Sequence, residues 1–318
     1  MFSKSIKTTI VFVGFIASTF ALAQSLDYKL SPRKIANDTY VIEGANDDFS
    51  RTNGCNIINT GFILTKSGVV VINTGPSKLY GEQQRKLIAN ITKQPVLMVL
   101  NLNLHPDYFF GNQAYADVPI YSTQESINGM KREGGAYADN LYRMCGDWML
   151  GTESTPPEKT IKPGRLMVSV SDHELELIEL KGHTTSDLLL VDKKTGVMFA
   201  GGVVFANRIP TTPHANIPQW IGALNTVSKL NTDLSIKVLV PSHGPVDQGL
   251  LGVQQTKSYL LWLDKTFKNA ATQGQDISEV LITPIPNEYK GFAAIKTEFL
   301  RNVTHLYPLY EKEIFQKP

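Results

Sequence analysis

His105 and Asp107 stand two residues apart in the stretch Asn103-Leu104-His105-Pro106-Asp107-Tyr108, just after the apolar run from Val96 to Leu100. Neutral imidazole nitrogen and carboxylate oxygen are ordinary zinc ligands, so the pair could hold a divalent metal ion. The apolar run reads as a buried strand, which puts the pair on the loop leaving a strand's C-terminal end, where α/β proteins gather their chemistry. His183, in K-G-H-T-T-S-D, and His243, in V-P-S-H-G-P-V, follow two further strand-like runs. Three imidazoles and one carboxylate make a sound donor set for a single zinc ion. A structural reading stands beside it, in which the histidines are loop residues and Asp107 hydrogen-bonds its own turn backbone. His214, in T-T-P-H-A, is read as a pocket residue, and His173 and His305 as surface or packing histidines.

The elements that must position these groups alternate along the chain. Runs at Cys55 to Thr65 and Val69 to Asn73 flank Lys66-Ser67-Gly68 and predict a hairpin. Leu79, Leu87, Ile88 and Ile91 keep a helical period over Ser77 to Thr92, with Ser77 as the cap. Thr123 to Leu150 predicts a helix broken near Gly134-Gly135 and ended by Pro156-Pro157, with Tyr142 and Trp148 in the core. Glu174 to Leu180 alternates with period two, and Asp187 to Val191 and Val197 to Ala200 predict a second hairpin. Pro218 to Leu230 predicts a helix, Ile236 to Val240 a strand, and Leu250 to Ala271 and Phe292 to Glu311 closing helices. Periodicity by itself supports an α/β or α+β fold.

The setting follows from composition. Residues 1 to 23 carry Lys4 and Lys7, an apolar run from Ile10 to Leu22 and an Ala21-Leu22-Ala23 cleavage site, which predicts an export signal rather than a lasting membrane anchor. Its removal leaves residues 24 to 318, and the loss of Lys4 and Lys7 from 31 basic residues balances the 29 acidic ones. That balance argues against nucleic-acid and anionic-membrane partners. Cys55 and Cys145 would meet an oxidising compartment. They can form one disulfide, remain two thiols, or lend one sulfur as a replacement ligand.

Five segments together resemble the metallo-β-lactamase superfamily. V-V-V-I-N-T-G-P-S at Val69 to Ser77 is similar to its strand-end V-I-D-T-G, and N-L-H-P-D-Y-F-F-G-N-Q at Asn103 to Gln113 to its H-x-H-P-D-H-F-x-G-N. K-G-H-T-T-S-D at Lys181 to Asp187 matches G-H-T-x-x-D, F-A-G-G at Phe199 to Gly202 resembles F-A-G-D, and V-P-S-H-G-P-V at Val240 to Val246 matches the P-G-H-G segment. Further segments narrow the resemblance: A-D-N-L-Y-R at Ala138 to Arg143, G-D-W-M-L-G-T-E at Gly146 to Glu153, R-I-P-T-T-P-H-A at Arg208 to Ala215 and H-L-Y-P at His305 to Pro308. They are similar to the type 1 quinoprotein relay system zinc metallohydrolases. The resemblance implies a four-layer αββα sandwich with C-terminal helices, its core at about residues 53 to 248 and a helical extension at about 249 to 318.

Against that pattern His105, Asp107, His183 and His243 fall on metal-ligand positions, with Asp107 also the candidate catalytic carboxylate. Asn103 and Tyr108 stand where histidines are expected, Gly202 stands where a bridging aspartate is expected, and Asn73 replaces an aspartate supporting the ligands. A structural zinc gains roughly 10–16 kcal/mol on binding, so each of four ligands is worth on the order of 3 kcal/mol, and three losses remove the equivalent of one ion. The expectation is at most one zinc ion, or none, with Tyr108 filling vacated space. The chain is accordingly read as an exported protein, periplasmic if its host is Gram-negative, of weak or no activity. It would bind a small-molecule ligand or a component of a periplasmic quinoprotein system in its cleft. The alternative is a mononuclear zinc hydrolase of an ester, thioester or lactam-like substrate.

Overall fold

The computed structural model describes residues 26–246 and 249–316; the expected export signal lies outside them. Seven strands form the first sheet in sequence order: β1 (Pro32–Ala36), β2 (Thr39–Ile42), β3 (Thr60–Leu64), β4 (Val69–Ile72), β5 (Val96–Leu100), β6 (Ile120–Thr123) and β7 (Lys159–Ile161). Neighbours are antiparallel from β1 to β4 and parallel from β4 to β7. The second sheet runs β12-β11-β10-β9-β8, built from β8 (Arg165–Val170), β9 (His173–Leu180), β10 (Asp187–Asp192), β11 (Val197–Phe199) and β12 (Val238–Val240). The helices are α1 (Lys78–Ile91), α2 (Pro106–Phe109), α3 (Gln124–Cys145), α4 (Ile217–Asp233), α5 (Leu250–Thr272), α6 (Ile277–Leu281) and α7 (Ile295–Phe315).

Alternation along the strands explains the layering. Val70 and Ile72 of β4 face inward with Val41 and Ile63, where they join a cluster with Leu175, Leu177, Leu188 and Leu190 of the second sheet. Val69 and Val71 point the other way and pack with Phe62, Val99 and Ile88 of α1. On the second sheet Leu189, Val191 and Met198 meet Trp220 and Leu224 of α4, Leu260 and Leu263 of α5, and Val303 of α7. A period-two strand buries both faces only when covered on both, so four layers result: helix, sheet, sheet, helices. The expected αββα architecture with C-terminal helices is present. Among the described residues no helix is long and apolar enough to cross a membrane.

Three local expectations are corrected. The strand expected from Cys55 begins only at Thr60, because Cys55 sits in a turn with φ of 62°. Helix α3 runs unbroken through Gly134-Gly135. Two glycines cost it only about 2 kcal/mol, while Ile127, Met130, Leu141 and Cys145 are buried on one face. It ends at Gly146, whose φ of 60° breaks the helical path, well before Pro156. Tyr142 is 51% exposed rather than in the core, and Trp148 is half-buried with its indole N–H donating to the Arg51 carbonyl at 2.9 Å. Cys55 and Cys145 are joined as a disulfide with Cα atoms 5.9 Å apart, tying the segment before β3 to the end of α3.

Candidate functional site

A set of asparagines shapes the loop after β5. Asn73 adopts φ of 56°, a left-handed conformation this residue tolerates, and its Oδ1 accepts from the Leu102 N–H at 3.0 Å. Asn101 donates to the Tyr108 carbonyl at 3.1 Å and accepts from Asn112 Nδ2 at 2.8 Å. The two sheets meet here through the Leu188 N–H donating to the Leu102 carbonyl at 3.0 Å. Asn59 fastens the loop after β12, donating to the Pro241 and Gly244 carbonyls at 3.0 and 2.8 Å. His105 then sits at the N-terminal end of α2 with Pro106 in the first turn.

The residues flagged in the sequence are brought together. Asn103 Nδ2 donates to Asp187 Oδ1 at 2.6 Å, and His183 Nδ1 lies 3.1 Å from the same oxygen. A carboxylate only accepts, so that ring nitrogen carries the proton and Nε2 carries a lone pair. His183 Nε2 is buried with no hydrogen-bond partner among the described residues. The His105 ring stands 4.8 Å from the His183 ring, nearly perpendicular to it. Gly202 packs so closely that a Cβ there would lie 2.2 Å from His183 Nδ1 and 2.8 Å from both Asn103 Nδ2 and Asp187 Oδ1. The Asn103–His183–Asp187 cluster therefore fills the space a side chain at 202 would need.

His243 and Asp107 form the other side. His243 donates through Nδ1 to the Ile57 carbonyl at 2.8 Å, and its Nε2 is 3.6 Å from Asp107 Oδ2. Phe205 stacks on the His243 ring at 4.9 Å. Burial pushes the Asp107 carboxyl up to about 7. Burial, then the nearby Arg208 charge, holds His243 well below its usual range, and burial followed by the neighbouring histidines does the same to His105. Those two imidazoles are neutral around pH 7. Tyr108 is fully buried among Leu102, Leu188 and Val240, and burial drives its phenol well above the usual range. Its hydroxyl has no hydrogen bond of ordinary geometry among the described residues, although the Ser242 hydroxyl, which donates to the Val204 carbonyl at 2.8 Å, lies beside it.

His105, Asp107 and His243 open into a small cleft of about 110 Å³. Phe49, Ile57, Pro106, Tyr137, Leu141 and Pro213 supply its apolar walls. Arg208, Glu298 and Arg301 supply charge. Arg208 donates to Glu298 Oε1 at 3.2 Å and to the Asp47 carbonyl at 3.0 Å, while Arg301 reaches both Glu298 and Asp48. Glu298 Oε2 is buried without a hydrogen-bond partner among the described residues. His214 stands behind His105, with its Nδ1 3.1 Å from His105 Nε2 and its Nε2 2.8 Å from Glu133 Oε2. Burial opposes ionising Glu133, but Tyr137, Arg132 and His214 outweigh it and hold the carboxyl below its ordinary range.

Sequence reasoning left out Asp187, Glu133, Arg208 and Glu298. Asp187 had a signal, because it closes the K-G-H-T-T-S-D segment four residues after His183. Glu133 and Glu298 lie in helices whose patterning marks only their apolar face.

Zinc is the metal implied by the resemblance, and the donor geometry tests it. Among the described residues no three His, Cys, Asp or Glu side chains are placed to hold a metal ion together. His105 Nε2 faces His214, His183 Nδ1 faces Asp187, and Asp107 pairs with His243 on the far side. As arranged, these side chains do not fit a ready-made metal centre.

No family model matches the chain. The metallo-β-lactamase IND-1 of Chryseobacterium indologenes is 26% identical over 253 residues, 76% of this chain and 91% of that protein. The acyl-coenzyme A thioesterase MBLAC2 of Gallus gallus is 21% identical over 166 residues, 46% of this chain and 56% of that protein, so the chain spans little more than half of it. Among solved structures, the metallo-β-lactamase IND-7 aligns with a TM-score of 0.58 at 20% identity, covering 74% of this chain and 99% of that one. A metallo-β-lactamase from Pontibacter korlensis aligns with a TM-score of 0.55 at 22% identity, covering 73% and 99%. The chain has the metallo-β-lactamase fold, and these relatives support its place in that superfamily, related to hydrolases.

Proposed function

We propose that this chain is an exported binding protein on a hydrolase fold, taking a small organic ligand or a partner segment in the cleft beside His105, Asp107 and His243, with hydrolysis weak or absent. The observation that carries the reading is at Gly202. Two-metal hydrolysis needs ligands that bring two ions together over one hydroxide, and here the space beside position 202 is filled by His183, Asn103 and Asp187. The reading is supported by a small cleft with apolar walls and by Glu298 in its lining, whose Oε2 has no hydrogen-bond partner among the described residues. Export is supported by the Lys4, Lys7 and Ala21-Leu22-Ala23 pattern and by the Cys55–Cys145 bridge, a bond that persists in oxidising compartments. A quinoprotein system component as the partner rests on the segments around Tyr142, Trp148 and His214.

One observation favours a second reading, a mononuclear zinc hydrolase of ester, thioester or lactam-like substrates. Among the described residues His183 Nε2 is buried without a partner, and His243 Nε2 and Asp107 stand together, so a rearranged site could hold one ion. Protein purified without chelator or a nickel-charged column tests both readings by native mass spectrometry and by turnover of thioester, ester and β-lactam substrates. The binding reading expects no more than one weakly held zinc ion and slow or undetectable turnover. Two tightly held zinc ions, or rapid turnover, would overturn it.

A further inference from the structure

Proton accounting behind the cleft leads from His214 to Glu133, a residue that none of the motif segments contains. His214 Nε2 is 2.8 Å from Glu133 Oε2, and the same oxygen accepts from the Tyr137 hydroxyl at 2.7 Å. A carboxylate offers only lone pairs, so the His214 nitrogen facing it carries the N–H. A neutral imidazole has one N–H, which leaves His214 Nδ1 bare. That bare nitrogen is 3.1 Å from His105 Nε2, so the proton between the two rings belongs to His105. His105 Nδ1 is then the lone-pair nitrogen of its ring.

The neighbouring rings obey the same rule. The Ile57 carbonyl fixes the proton of His243 on Nδ1, and Asp187 fixes that of His183 on Nδ1. An acceptor outside the cleft thus sets the tautomer of each ring, the usual way proteins orient a working histidine. For His105 the acceptor is remote and reached through a second imidazole. Glu133 and Tyr137 come from α3, while His214 comes from the loop before α4.

We propose that Glu133 and His214 are positioning residues that form a relay fixing His105 with its proton on Nε2, so that His105 meets a cleft ligand as a hydrogen-bond acceptor through Nδ1. The ligand's role rests on the binding reading above, but the relay is tested on the ring itself, so a failure of one is distinguishable from a failure of the other.

The experiment is long-range 1H–15N correlation on the six histidines of the 15N-labelled protein at neutral pH. In the parent, His105 should show one tautomer, with Nδ1 as the pyridine-type nitrogen. Glu133→Gln puts an amide that can donate as well as accept against His214, so the direction of the relay is no longer set and His105 should populate both tautomers. His214→Ala should also mix them, and Glu133→Asp should restore the parent pattern. His243, fixed independently by Ile57, should keep its tautomer throughout and so reports that each variant is folded. The parent spectrum decides even where a variant fails to fold: a His105 proton on Nδ1, or a doubly protonated His214, overturns the relay. So does an unchanged His105 in folded Glu133→Gln and His214→Ala.

Discussion

Asn103 donates a 2.6 Å hydrogen bond to Asp187, joining the loop after β5 to the first residue of β10 across the seam between the two sheets. The same carboxylate oxygen accepts from His183 Nδ1 at 3.1 Å, and the other oxygen accepts from the Thr184 N–H at 2.9 Å. Asn103 also accepts from the His105 N–H at 3.1 Å. A neutral, bifunctional amide does what a carboxylate could not do here: it donates to Asp187 and accepts from backbone at once. The position where the resemblance expects a histidine therefore has a structural task of its own.

Asn103→Ala should cost about 1–3 kcal/mol, because it leaves the buried Asp187 and the His105 N–H each short of a partner. Urea unfolding followed by circular dichroism measures it. A midpoint within error of the parent would show that the amide bonds contribute nothing net.

Gly202→Asp, the change that would supply the bridging carboxylate expected from the resemblance, should destabilise rather than create a metal site. Its Cβ would fall 2.2 Å from His183 Nδ1, and the ring has Trp220 at 4.8 Å on another side. Overpacking of this kind costs typically 1–3 kcal/mol, plus the repulsion between a new carboxylate and the buried Asp187. Zinc titration by calorimetry and a melting curve decide together. A Gly202→Asp protein as stable as the parent that binds two zinc ions tightly would refute the prediction.

Much of this arrangement was legible in the sequence, and what was not has a physical reason. Val69 to Ile72 reads as a buried strand because strands covered on both faces are continuously apolar, and Val96 to Leu100 reads the same way although only Val99 and Leu100 are fully buried. His105 and Asp107 could be placed because they follow such a run, and His183 and His243 because they follow the strands read at Glu174 to Leu180 and Ile236 to Val240. Strand β1, with Arg33 and Lys34 among five residues, lies at the edge of its sheet and carries no burial signal. The α3 break was expected from two glycines whose cost is smaller than the packing of the helix face. The His105–His214–Glu133 chain was invisible because a hydrogen bond between residues about a hundred positions apart leaves no period in the sequence.

Loss of the disulfide should cost about 2–5 kcal/mol, the range for a native bridge closing a long loop; here the separation is 90 residues. The bridge also joins two sides of the cleft, since Phe49 and Ile57 flank Cys55 in sequence while Tyr137 and Leu141 precede Cys145 on α3. Cys55→Ser with Cys145→Ala should therefore lower the denaturation midpoint and increase amide exchange in residues 45–57 beyond that in β4. Equal protection of both segments in the double variant would show that the bridge does not restrain that wall.

Acid should loosen the same wall through Asp48. Arg301 donates to Asp48 Oδ1 at 2.9 Å, a link between the segment before β3 and helix α7. Burial works against the ionised carboxylate, but the Arg301 hydrogen bond and charge, with the Phe49 N–H and Thr297, outweigh it, and the folded-state value is lowered. A depressed carboxyl contributes stability that is complete above its unfolded value, near 4, and is lost as pH falls through the lower folded value. The parent should thus lose part of its stability below about pH 4. Asp48→Asn should cost about 1 kcal/mol at neutral pH, the scale of a partly exposed pair, and should show a flatter acid limb. Melting temperatures of both proteins from neutral pH down into the acid limb supply the comparison. Parallel curves for parent and Asp48→Asn over that range would show that Asp48 is not one of the groups whose protonation drives acid unfolding.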